Sequence, residues 1–206
     1  MEALTNLPLF LVSVVMISLS GVMMPGPVFA VTVAKGRRNG NAGAYIALGH
    51  GIVEVPLMIL IYLGFSQLFM NVAVKKLIGL VGGAMLIYMG YEMFKSRRMK
   101  EEVEAKDPPG SSLMAGVVTT GANPYFFLWW ATIGATLVSN SAFFGLWGFL
   151  LFALTHWSCD LAWDLFVSKA TYNSKRFWTK KLHEAVFIAC AFLLLGFGAW
   201  FVFSSL

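Results

Sequence analysis

Six apolar runs, each long enough to cross a bilayer, leave this chain few ways to fold. They cover roughly Leu7–Ala34, Ala42–Phe65, Leu77–Phe94, Leu113–Leu137, Phe143–Ser168 and Ala185–Phe203, and a spanning helix needs about 17 to 25 such residues. Lipid offers no partner to a backbone N–H or C=O, so each run must satisfy its own. The strict alternation of a barrel strand is absent. The chain therefore reads as an all-α polytopic membrane protein with six transmembrane helices, a single membrane domain over residues 1–206. Composition agrees: 12% of residues are charged, against about 25% in ordinary soluble domains.

A net charge of +5 suggests an anionic partner in a soluble protein, but here the positions of the charges suggest topology instead. Thirteen of the fifteen lysines and arginines fall in three segments: Lys35–Arg38, Lys95–Lys106 and Lys169–Lys181. The other side holds only Lys75 and Lys76. Basic residues concentrate on the cytoplasmic face, which puts both termini outside. Membrane lipids are the expected macroscopic partner, and nucleic acid is not one. Met1-Glu2-Ala3 lacks the basic start of a signal peptide, so the first run is expected to be retained. Cys159 and Cys190 lie in separate apolar runs, without a C-x-x-C spacing; both are expected to be buried small residues.

The charged segment 101–112 is the one obvious linker. It divides the chain into a first three-helix repeat, 1–100, and a second, 113–206. Each half opens with a proline-broken run, "MMPGP" in one and "TTGANPYFF" in the other. Each continues with a histidine and a carboxylate four residues later, His50 with Glu54 and His156 with Asp160. Each closes on a glycine-containing run. An odd number of spans per half inverts the second relative to the first. Inverted repeats with broken helices place a substrate site near the midplane.

Asn123 suits an N-cap and Pro124 the first helical position of a new half-helix. Gly121 suits a left-handed turn before them. Gly26 and Pro27 suit the same roles in the first half. Proline also deprives the carbonyls of Thr120, Gly21 and Met23 of their usual donors. Free N–H groups on one side of a break attract an anion, and free carbonyls on the other attract a cation. An amino acid carries both charges, so Pro25, Gly26, Pro27, Thr120, Asn123 and Pro124 form the candidate substrate site. A plain kink is the alternative, healed by Ser18, Ser20, Thr119 and Thr120.

A carboxylate at the centre of a spanning helix costs about 2.5 to 3.5 kcal/mol on insertion scales. Glu54 and Asp160 meet that cost without a lysine or arginine in their own spans. Residues four apart share a helical face, so each can meet its histidine, and Asp164 extends the second row. His50, Glu54, His156, Asp160 and Asp164 are therefore the candidate ion- or proton-coupling residues. An interhelical hydrogen bond without function, worth about 0.6 kcal/mol, would not offset that insertion cost. Gly79 and Gly83 form a G-x-x-x-G, read as close helix packing rather than a dimer seam, and homo-oligomerisation is left open. Trp129, Trp130, Trp157 and Trp163 are expected to pack or sit at the interface. No metalloprotease, Walker or dinucleotide fingerprint is present, so no cofactor and no resident metal site is expected.

The P-G-P of the first run followed by "AKGRRNGNAGAYIALGHG" resembles the N-terminal signature of the lysine exporter (LysE) and homoserine/threonine exporter (RhtB) superfamily. "NPYFFLWW" is similar to that superfamily's second signature. The chain departs from it at Tyr125, where lysine is frequent, and at His50, where an acidic or small residue is frequent. The resemblance implies a secondary transporter in the cell (inner or plasma) membrane, not an enzyme. It would export amino acids or related small metabolites, driven by the proton gradient or membrane potential. A divalent metal-ion exporter is the alternative, since two histidines and three carboxylates can face one cavity. An intramembrane hydrolase using His156 and Asp160 lacks a specified serine, and a purely structural role leaves the breaks and buried acids unexplained.

Overall fold

The computed structural model describes residues 6–24, 26–65, 71–97, 109–174 and 179–206, and every regular element among them is a helix. Pro25 and residues 101–108 of the expected linker lie outside the described residues. Each apolar run is helical. The elements are α1 (Leu7–Val22), α2 (Pro27–Gly36), α3 (Ala42–Tyr62), α4 (Val72–Ser96), α5 (Pro109–Gly121) and α6 (Pro124–Trp129). A π-helical turn, Trp130–Gly134, leads into α7 (Ala135–Ala142), followed by α8 (Gly145–Asn173) and α9 (Lys180–Ser205). By length and apolar character, α3 and Glu184–Ser205 of α9 can cross a membrane. A third span results if α1 and α2, bent by 77° at the break between them, are taken together. The six-span expectation is thus met in helix content but only partly in membrane-crossing helices. In α8 the reason is visible: His156, Asp160 and Asp164 lower the apolar character of a 29-residue helix.

Local chemistry explains the interruptions. Asn6 caps α1 by accepting the Leu9 N–H at 3.3 Å. Phe10, Val14 and Ser18, four residues apart, form its buried face. After the break, α2 starts with Gly26 as N-cap and Pro27 in the first turn. In the second half Asn123 is the N-cap of α6, its Oδ1 accepting the Tyr125 N–H at 3.1 Å, with Pro124 next. Gly121 does not supply a left-handed turn. Among the described residues only Gly64 and Gly145 have positive φ, and the chain turns instead through extended backbone at Asn123. Two carbonyls expected to lack donors have them. Thr120 accepts the Asn123 N–H, and Gly21 the Met24 N–H, both at 3.1 Å. One tighter turn heals the backbone on each side.

Packing centres on α3, which lies against both α5 and α8, while α1 and α2 also pack on α8. The longest seam joins α4 to α9; α2 also reaches α9, and α6 reaches α4. The helices approach closely because the contacting residues are small. A methyl group at Gly43 would overlap the backbone carbonyl of Asp164, and one at Gly49 would overlap that of Leu113. Gly79 and Gly83 face Ser205 and Gly198 in α9, so the G-x-x-x-G is used within the chain, as expected. Two apolar clusters result. One joins α1, α3, α6 and α8 around Phe10, Met58, Trp130 and Phe152; the other joins α2, α4 and α9 around Ala30, Leu86 and Leu194.

Candidate functional site

A cavity between these clusters takes walls from both, including Phe126 and Trp130 from the first and Phe29 and Phe197 from the second. Its volume is about 120 Å³. Gly26, Pro27 and Asn123 line it, as do His50, Glu54, His156, Asp160 and Asp164. Both breaks and both histidine–acid rows therefore meet in one chamber. Thr120 and Pro124 are not among its lining residues. Thr120 acts one step back: its carbonyl is taken by the turn, and its hydroxyl lies 2.8 Å from His50 Nδ1.

The acids and histidines form one network across α3 and α8. Glu54 Oε1 lies 2.9 Å from His50 Nε2 and 3.2 Å from His156 Nε2. Asp160 sits 3.8 Å from each ring, through Oδ1 to His50 and Oδ2 to His156. The i,i+4 pairing holds tightly for His50, but His156 lies nearer to Glu54 on the other helix than to its own Asp160. Asp164 Oδ1 accepts from the Thr32 hydroxyl at 3.3 Å. All five groups are buried, Glu54 at 1% exposure. Glu54 Oε2 and Asp160 Oδ2 have no hydrogen-bond partner among the described residues. Such unpaired acceptors are costly in a low-dielectric interior, and none of the lining residues is Lys or Arg. Positive charge beside these acids can come from protonated His50 and His156 or from a bound cation.

Several contacts lie beyond what helical spacing reveals. Ser18 Oγ bonds His156 Nδ1 at 2.7 Å rather than healing the first break, and Ser20 donates within its own helix to the Ile17 carbonyl, which the break does not free. Thr119 likewise donates to the carbonyl of Ala115. Trp129 stacks on His156 with ring centroids 5.4 Å apart, and Trp130 meets the same ring edge-on at 5.0 Å. Trp129 and Trp130 are thus walls of the chamber, whereas Trp157 ties α8 to α3 by donating to the Ala47 carbonyl at 3.0 Å. The π-turn fixes the second indole, because its last residue, Gly134, lies against the Trp130 ring where a side chain would clash. Replacing Gly134 by Ala is expected to displace Trp130 from His156 and to cost about 1–3 kcal/mol. Thermal unfolding of the purified variant, alongside Trp fluorescence, measures both effects.

The comparison that decides the family comes from the sequence. The family described as LysE type translocator matches residues 19–205. The chain belongs to that family. Among curated relatives, a putative amino acid efflux protein, YcgF of Bacillus subtilis (strain 168), is 26% identical over 186 residues, covering 88% of this chain and 89% of the relative. The threonine efflux protein of Escherichia coli (strain K12) is also 26% identical, over 151 residues that make up 66% of this chain and 69% of the relative. No solved structure matches the chain. A LysE type translocator is a membrane transport protein, and its apolar helices fit that role. Gly26 and Pro27 of this LysE type chain, and Asn123 with Pro124, lie at the two breaks that border the chamber.

Proposed function

We propose that the chain is a secondary transporter that exports amino acids or related small metabolites through the chamber between its two breaks. The observation that carries this is the convergence of Gly26, Pro27 and Asn123 with the buried His50–Glu54–His156–Asp160 network around one cavity. The names of the relatives support an amino-acid cargo, threonine being the first to try. Six spans form two inverted three-helix repeats, 1–100 and 113–206, joined by the cytoplasmic segment 101–112. Both termini lie outside the cell membrane. The reciprocal packing of α1 on α8 and of α5 on α3 fits such a two-fold relation. Pro25, Gly26, Pro27, Asn123 and Pro124 shape the substrate site, and Thr120 supports it through His50.

Export is coupled to the proton gradient or membrane potential, with the coupling proton held by the network. Four titratable groups linked by distances of 2.9 to 3.8 Å can pass one proton among themselves. Asp164, nearer the basic segments, is the exit on the cytoplasmic side. Counterflow in proteoliposomes, with labelled amino acids and divalent metal ions and with or without a pH gradient, tests the proposal. Amino-acid exchange is expected, and metal flux without it would replace this reading by that of a metal exporter. Asn123→Leu or Pro27→Leu is expected to abolish exchange while the chain still inserts. Full exchange in both variants would return the breaks to simple kinks.

A further inference from the structure

We propose that His50, Glu54 and Asp160 form a site for one divalent transition-metal ion of the Zn²⁺ class, independent of which solute is exported. One ligand atom from each of the three, an imidazole nitrogen and two carboxylate oxygens, lies within 4.8 Å of the others. Three such ligands with one open position make the usual open zinc site, in which ligand atoms sit about 2.0–2.2 Å from the ion. Binding would require these side chains to rotate until the ligand atoms reach that distance from a shared ion. The open position faces the chamber, where water completes the shell.

The surroundings supply what a metal site needs beyond its ligands. A ligating histidine is oriented by a hydrogen bond at its other nitrogen. The ion would replace the Nε2 proton that His50 otherwise directs at Glu54 Oε1, 2.9 Å away, and the ring would then donate from Nδ1 to the Thr120 hydroxyl at 2.8 Å. Ligating carboxylates are themselves held by hydrogen bonds. His156 donates from Nε2 to Glu54 Oε1 at 3.2 Å, while its Nδ1 accepts from the Ser18 hydroxyl at 2.7 Å. That arrangement leaves Glu54 Oε2 free to ligate, and among the described residues this atom and Asp160 Oδ2 are the buried carboxylate oxygens without a hydrogen-bond partner. An ion there balances two buried negative charges that no lining Lys or Arg offsets. Mixed imidazole and carboxylate ligands favour Zn²⁺ or Co²⁺ over Mg²⁺, which prefers oxygen alone and strict octahedral geometry.

The test uses the full chain in detergent, purified without a polyhistidine tag and stripped with a chelator, then titrated with Zn²⁺ or Co²⁺ alone. One ion per chain is expected, with Co²⁺ giving the intense visible bands of a four-coordinate site. His50→Gln, Glu54→Gln or Asp160→Asn is expected to weaken binding at least a hundredfold. Thr120→Val and Ser18→Ala should weaken it about 10- to 100-fold by freeing the imidazoles. Cys159→Ala should leave it unchanged, which separates the site from the thiol beside Asp160. If a variant fails to fold, the unaltered chain still decides: Zn²⁺, unlike Mg²⁺, should raise its unfolding temperature. Absence of saturable binding, a six-coordinate Co²⁺ spectrum, or full affinity in the His50→Gln, Asp160→Asn double variant would overturn the proposal. Because no transport is measured, an export assay that fails leaves this result standing, and the reverse also holds.

Discussion

Replacing Glu54 by Gln is expected to abolish the part of transport driven by a pH gradient while the chain stays folded. Glutamine has nearly the same shape, and its amide oxygen can still accept from His50 and His156, which lie 2.9 and 3.2 Å from Glu54 Oε1. What it cannot do is take up or release a proton. The buried network then holds one carboxylate between the two rings instead of two. Initial rates in proteoliposomes with and without an imposed pH gradient separate the two contributions. The gradient-dependent rate should fall about a hundredfold or more, the low end for loss of one positioned proton-transfer group. An unchanged gradient response would remove Glu54 from the coupling path.

The second large effect is expected at Gly43, which lies within the first signature stretch but does not line the chamber. Its Cα faces the main-chain carbonyl of Asp164, so any added carbon overlaps backbone atoms that cannot rotate away. Gly43→Val must push α3 away from α8, and those two helices carry the entire His50–Glu54–His156–Asp160 network. Overpacking a rigid interface costs about 1–3 kcal/mol, occasionally more, and in this case the hydrogen bonds across the network lengthen as well. The expected outcome is a sharp fall in folded protein by fluorescence-detected size exclusion, with transport lost in what remains. Gly43→Ala should show the same effects at smaller size. Wild-type yield and transport in the valine variant would mean that the helices do not meet so closely.

The elements most legible in the sequence were those set by local physics. Runs of apolar residues became helices because their backbone has no other partner in lipid. Asn123 and Pro124 started α6 because an amide side chain caps and proline tolerates a first turn. The rows His50–Glu54 and His156–Asp160 were readable from four-residue spacing, and the structure adds that they interlock. Other features depend on partners distant in the chain. Ser18 and His156 are separated by 138 positions, and no periodicity links them. A serine near a proline break equally well bonds its own helix, as Ser20 does. The carbonyls upstream of the prolines find donors for a different reason. A missing i to i−4 donor predicts a free acceptor only if the chain does not tighten, and at Thr120 and Gly21 it tightens. The tryptophans were ambiguous because an indole packs as readily against a histidine as against lipid.

The central claim is that one chamber, lined from both breaks, is where the solute binds. Val28 lines it beside Pro27, and Cys159 and Cys190 can be replaced by alanine to give a background free of other thiols. The most direct measurement is the rate at which a Val28→Cys chain in proteoliposomes reacts with a small polar thiol reagent, with and without threonine or another amino acid active in counterflow. Reaction slowed by the solute, with half-protection near the concentration that half-saturates exchange, is the expected result. A rate that the solute leaves unchanged while exchange proceeds would place the path elsewhere.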